Sequence, residues 1–180
     1  MIKLYIDFDG VILNTIDVSY KMLDDSGIDL SDNVRVQDFY CNLDWKKLIE
    51  DSEPINNSIV NLRKLMDSKL YDISILTHIN SSYEKEIKLD FMKRNFEGLD
   101  IIFVEKKDDK CDVVDCFDAV LVDDYMDNLL KWESKGGIAV KFSTTDKEYE
   151  CIDISSLDML IDKYEEIKQK MSGRKKKLLV

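Results

Sequence analysis

Apolar residues along this chain come in two patterns, short continuous runs and longer stretches at helical spacing. Ile2-Lys3-Leu4-Tyr5-Ile6 reads as a buried strand that stops at Asp7. Residues 15–26 read as a helix with Ile16, Tyr20 and Leu23 on one face. Residues 27–53 are polar and interrupted, with a short helical piece at 44–50. Pro54, the only proline, is expected to open a helix to about Lys69, carrying Ile55, Ile59, Leu62, Leu65 and Met66 at helical spacing. Residues 71–76 form a second strand. Residues 81–95 form a helix capped by Ser81 or Ser82, with Glu84 and Lys88 as an i,i+4 pair. Strands at 100–104, 119–122 and 138–142 follow, with a helical turn near 112–115 and a helix at 125–135 between them. Gly136-Gly137 turns the chain into the fifth strand, and an amphipathic helix at 155–170 ends the periodic part.

Strands alternate with helices throughout. That order predicts an α/β fold, a three-layer Rossmann-like parallel sheet with helices on both faces. Ligands of such sheets sit outside the carboxyl ends of the strands. Asp7 and Asp9 follow strand one, Thr77 follows strand two, and Asp123 and Asp124 follow strand four. Residues 1–13 and 57–172 are assigned to the core, and 14–56 to an insertion after strand one. The segment 173–180, with Arg174, Lys175, Lys176 and Lys177, reads as a basic tail that frays.

Composition narrows the function classes. At 180 residues the chain is long enough to bury a core without staples. A net charge of −11 argues against nucleic acid as a partner, because phosphate backbones need clustered Lys and Arg. A local pocket or a metal can still reverse the field for a small anion. The four cysteines, Cys41, Cys111, Cys116 and Cys151, lack zinc-site spacing and read as free thiols of a reducing cytosol. Neither a membrane span nor a signal peptide is expected, and the protein is read as cytoplasmic.

The candidate chemistry lies in two acidic pairs. Asp7-Phe8-Asp9-Gly10-Val11 brings two carboxylates off a hydrophobic strand, one residue apart, with Gly10 turning the backbone away. Such carboxylates repel unless a shared proton or a cation relieves them, and a hard divalent ion such as Mg2+ would do so. Leu121-Val122-Asp123-Asp124 repeats the arrangement. A surface turn for the first pair and a helix cap for the second are the plain alternatives. Both pairs arising by accident after separate buried strands is a much rarer event than either alone. Thr77 offers a hydroxyl to a phosphate oxygen, and Lys106, Lys107 and Lys110 offer a cation, with Lys110 favoured. The single histidine, His78, is read as structural or as a peripheral phosphate contact.

Taken in order, Asp7-Phe8-Asp9-Gly10-Val11, Ile75-Leu76-Thr77, Lys110 and Val122-Asp123-Asp124 resemble the four motifs of the haloacid dehalogenase (HAD) superfamily. Asp123-Asp124-Tyr125, Asn128-Leu129, Trp132 and Gly136-Gly137 look most like its 5′(3′)-deoxyribonucleotidase-like branch. The resemblance implies a Mg2+-dependent phosphatase with Asp7 as nucleophile and Asp9 as acid and base. It implies metal binding by Asp7, Asp9 (through its backbone carbonyl) and the Asp123/Asp124 pair, through Asp123 or Asp124 directly, and phosphate contacts from Thr77, His78 and Lys110. It makes 14–56 a small helical cap, with Phe39, Tyr40 and Trp45 either lining the substrate face or packing the cap onto the core. The implied substrate is a small phosphorylated metabolite or nucleotide. A phosphotransferase or mutase on a sugar phosphate, or a non-catalytic phosphate-binding module, would use the same residues.

Overall fold

Each predicted strand is present in the computed structural model, which describes residues 1–178 and the side chains of residues 1–173. The strands are β1 (Ile2–Ile6), β2 (Tyr71–Ile79), β3 (Asp100–Glu105), β4 (Val120–Asp123), β5 (Ile138–Phe142) and a short β6 (Ile152–Ile154). The helices are α1 (Thr15–Asp25), α2 (Asn33–Asn42), α3 (Trp45–Asp51), α4 (Ser58–Ser68), α5 (Ser82–Asn95), α6 (Lys110–Val113), α7 (Met126–Ser134), α8 (Met159–Asp162) and α9 (Tyr164–Leu178). The tail expected to fray spans 173–180; α9 continues through Leu178, while Leu179, Val180 and the side chains from Arg174 on lie outside the described residues.

All pairings are parallel, in the order β3-β2-β1-β4-β5-β6. The chain builds outward from β1 through β2 and β3, then returns to the other side of β1 for β4. The carboxyl ends of β1 and β4 therefore flank the point where winding reverses, which is where such sheets leave a crevice. Both faces are covered. Leu4, Ile6, Val120 and Val122 enter the larger core cluster, while Tyr5 and Leu121 enter a second on the opposite face. Continuous apolar runs, and not alternating ones, are what a sheet buried on both sides requires.

Trp132 closes the second face. It is fully buried, packs edge-on against Tyr5 at 5.4 Å between ring centroids, and donates Nε1–H to the Ala119 carbonyl at 3.0 Å. A Cβ on Gly137 would lie 2.2 Å from that indole nitrogen, so only glycine lets β5 start there.

Several local expectations are corrected. The helix expected from Pro54 starts at Ser58, after a single 3-10 turn at Ile55–Asn57. Pro54 is extended, and Asn56 and Asn57 take left-handed φ of 45° and 58°, which no α-helix can continue through. The segment 155–170 splits into α8 and α9, and α2 and β6 were not foreseen. Strand β2 runs on to Ile79, so Thr77 lies inside the strand, paired with Phe103 of β3, and not at a helix start. The polar stretch before Pro54 holds α1, α2 and α3. Its two ends meet where Asn14 N–H donates to the Glu53 carbonyl at 3.0 Å. Among the described residues no helix is long and apolar enough to cross a membrane. All four cysteines are free.

Candidate functional site

The register of the sheet creates the site. Ile6 pairs with Val122, and Asp7 N–H donates to the Val122 carbonyl at 2.9 Å, so Asp7 and Asp123 leave adjacent strand tips side by side. Oxygens of Asp7, Asp123 and Asp124 all lie within 4.8 Å of one another. Gly10, at φ +71°, brings the backbone against Asp124; a Cβ there would sit 2.3 Å from its Oδ2. The glycine is thus needed for both its conformation and its bareness.

Lys110 holds this group together. Its Nζ lies 2.9 Å from Asp7 Oδ2 and 2.7 Å from Asp123 Oδ2, and the residue is 2% exposed. Lys106 and Lys107 are exposed, so of the three candidate lysines only Lys110 meets the carboxylates. The short helix α6, which starts at Lys110, turns the side chain inward. Phe8 N–H donates to Asp7 Oδ1 at 2.7 Å. Tyr125 N–H and Asn128 Nδ2 donate to Asp123 at 2.8 and 2.9 Å, fixing that carboxylate at the entry to α7.

Lys141 is a second buried ammonium here, its Nζ 2.7 Å from the Asp124 backbone carbonyl, so three carboxylates face two ammoniums and negative charge stays in excess. Burial, with Asp123 and Asp9 nearby, pushes Asp7 up to about 7 against the pull of Lys110. Burial, then Asp123, pushes Asp124 up to about 6. Three converging hard carboxylate oxygens, those of Asp7 and Asp124 with raised proton affinity, fit a divalent cation such as Mg2+. A folded carboxylate with raised affinity favours the protonated form, so the metal-free protein loses stability as pH climbs from about 4 to about 7. A cation must displace those protons. Mg2+ affinity is therefore expected to rise about tenfold per pH unit for each carboxylate still protonated, and to level off above pH 7. Calorimetric titration with MgCl2 between pH 5.5 and 8 measures it, and an affinity flat across that range contradicts ligation by these groups.

Asp9 stands apart from this cluster. Thr15 Oγ1 donates to its Oδ1 at 2.7 Å, and Lys88 Nζ meets its Oδ2 at 2.5 Å. Its side chain is thus not among the converging oxygens. Thr77, fully buried, places Oγ1 3.4 Å from Asp9 Oδ2 and 3.2 Å from Lys88 Nζ. His78 places its Nε2 3.1 Å from the Asp108 carbonyl, and burial, then Lys110, lowers its proton affinity.

Lys88 was missed as a site residue. Its sequence signal, a Glu-Lys pair at i,i+4, ordinarily marks a solvated helix face. Here Glu84, Lys88 and Met92 form the buried line of α5. Phe39, Tyr40 and Trp45 join Leu43, Leu48 and Ile87 in a small apolar cluster, so the packing alternative describes them.

No family model matches this chain, and neither does any curated protein. Solved structures do match its fold. A HAD hydrolase of family IA, variant 3, from Entamoeba histolytica superposes with a TM-score of 0.65 at 13% identity, over 94% of this chain and all of the other. The HAD-hydrolase YfnB from Bacillus subtilis, solved bound to magnesium, gives 0.61 at 13% identity, over 91% and 98% of the two chains. A HAD phosphatase from Thermococcus onnurineus gives 0.56 at 18% identity, over 90% and 97%. The chain has the three-layer, Rossmann-like fold of these proteins.

Proposed function

We propose that this protein is a HAD-type phosphatase that hydrolyses a small phosphate monoester through an aspartyl-phosphate on Asp7. The observation that carries the reading is the convergence of Asp7, Asp123 and Asp124 at adjacent strand tips around the buried Lys110 ammonium.

Asp7 attacks phosphorus with one carboxylate oxygen, and the ester P–O bond breaks. Asp9 protonates the departing oxygen, then takes a proton from water as that water displaces Asp7 from phosphorus. Lys110 offsets charge on the transferred phosphoryl group, and Thr77 offers its hydroxyl to one oxygen. Asp7, Asp123, Asp124 and the Asp9 carbonyl would hold Mg2+, which supplies Lewis-acid neutralisation of phosphoryl charge when bound. The segment 14–56 serves as the cap that selects the alcohol part of the ester. A nucleoside monophosphate is the first substrate class to try, by analogy with the branch that the motifs resemble.

Free phosphate release from p-nitrophenyl phosphate and a panel of nucleoside and sugar monophosphates, with and without MgCl2, tests the reading. Mg2+-dependent release from at least one ester is expected. No release from any of them would overturn it, and transfer to a second alcohol in place of water would make the protein a phosphotransferase.

A further inference from the structure

Lys88 is the most deeply committed side chain that the chemistry above does not use. It is 0% exposed, and lysine is almost never fully buried without a specific partner. Its ammonium meets Asp9 Oδ2 at 2.5 Å, Glu84 Oε1 at 2.6 Å, the His78 carbonyl at 2.9 Å and Thr77 Oγ1 at 3.2 Å. Four acceptors for three protons leave it no freedom to swing. The rings of Phe8 and Trp45 pack over the same ammonium, at 5.4 and 5.0 Å from their centroids.

The partners are fixed in turn. Glu84 Oε2 accepts from Asn80 N–H at 2.7 Å and from Asn80 Nδ2 at 3.1 Å, which ties it to the end of β2. Trp45 comes from α3 of the inserted segment, and its Nε1 is buried with no hydrogen-bond partner. That ring is therefore held in place by packing and by the cation, not by its N–H. Asp9 is gripped at both oxygens, one by Thr15 at the start of α1 and the other by Lys88. A polar assembly of this kind costs desolvation energy that an apolar residue at position 88 would avoid. Helix packing alone does not call for it, since Met92 does that one turn later on the same line.

We propose that Lys88 is a positioning residue: it holds the Asp9 carboxylate in the orientation from which Asp9 serves the leaving oxygen and the attacking water. It also seats Trp45 of the inserted segment on the same ammonium. The inference rests on the phosphatase reading, and its tests separate the two.

Lys88→Met removes the ammonium. Because that leaves Glu84 buried without its cation, Lys88→Met/Glu84→Gln is made beside it. p-Nitrophenolate leaves phosphorus without needing a proton, whereas water attack on the aspartyl-phosphate needs Asp9 to take one. Rapid mixing of either variant with p-nitrophenyl phosphate and Mg2+ is therefore expected to show a burst of about one nitrophenol per enzyme. The following steady rate should be about 100-fold below wild type. An alkyl phosphate, whose alkoxide must be protonated, should lose at least as much with no burst. A merely structural lysine would lower burst and steady rate together and leave the ratio between substrates unchanged, which overturns the proposal. If wild type releases no phosphate from any ester, the phosphatase reading has failed. The crystal structure of Lys88→Met then decides the positioning part alone: a displaced Asp9 carboxylate supports it, and an unmoved one refutes it.

Discussion

Asp7→Asn is expected to lower kcat for every phosphate ester the protein hydrolyses by about 10,000-fold or more, because the amide cannot form the covalent intermediate. The same change is expected to leave the protein at least as stable as wild type in EDTA at pH 8. The sign follows from the carboxylate itself. Burial raises the proton affinity of Asp7 to about 7, far above the ordinary 3.8, so at pH 8 the folded state holds an anion it disfavours. Asparagine keeps the shape and removes that anion, while Lys110 retains Asp123 at 2.7 Å. Below about pH 6 wild-type Asp7 is itself largely protonated, and the stability difference should shrink. Steady-state assays and thermal melts on one preparation check both halves. An inactive variant that also melts well below wild type would mean Asp7 is structural. A variant that keeps more than about a tenth of wild-type activity would remove the covalent route. The expected pairing, activity lost and stability kept or gained, marks a site held together at a cost to the fold.

The readable parts of the sequence were those where chemistry contradicts burial. Asp7 and Asp123 end continuous apolar runs, and a carboxylate delivered by a buried strand has few uses outside a cation or a proton site. Parts of the central strands were legible for the same reason, because Leu4-Tyr5-Ile6, Ile75-Leu76 and Val120-Leu121-Val122 carry no polar residue. Lys88 was hidden because the rule that finds it is inverted there. The buried line of α5 holds Glu84 and Lys88, so apolar periodicity points to the wrong face. The apolar residue that marks this line as buried is Met92, four residues on. Helix α2 was missed for a simpler reason: none of its residues is buried, so it has no apolar stripe to read. Its start rests on Asp32, whose side chain accepts from Arg35 N–H at 3.1 Å. Strand β6 has only three residues, too few for a period. Pro54 misled because proline favours a first helical turn, while here the two asparagines after it take left-handed backbone and delay the helix to Ser58.

Lys110→Met should be the most destabilising single change at the site. The methionine fills similar space, but two carboxylates then face one another with no cation between them. Asp7 is largely buried and Asp123 wholly so, which means solvent screening cannot rescue the pair. Breaking a buried ion pair by removing one partner costs about 3–5 kcal/mol. That loss should be largest in EDTA above pH 7, where both carboxylates are ionised, and smallest near pH 5, where Asp7 accepts a proton. Stability therefore falls as pH rises, because the folded state binds more protons than the unfolded chain. Millimolar Mg2+ should return part of the loss by placing a cation among the same oxygens, so the variant should gain more from Mg2+ than wild type does. Activity in saturating Mg2+ should fall by about 100- to 1000-fold, in line with loss of one preorganised charge on the transferred phosphoryl group. Urea denaturation at pH 5 and pH 8, each with EDTA or MgCl2, measures the stability trends, and steady-state assay in saturating MgCl2 measures the activity. Equal destabilisation under the four conditions would show that Lys110 contributes packing alone, and that the three aspartates do not behave as one electrostatic unit.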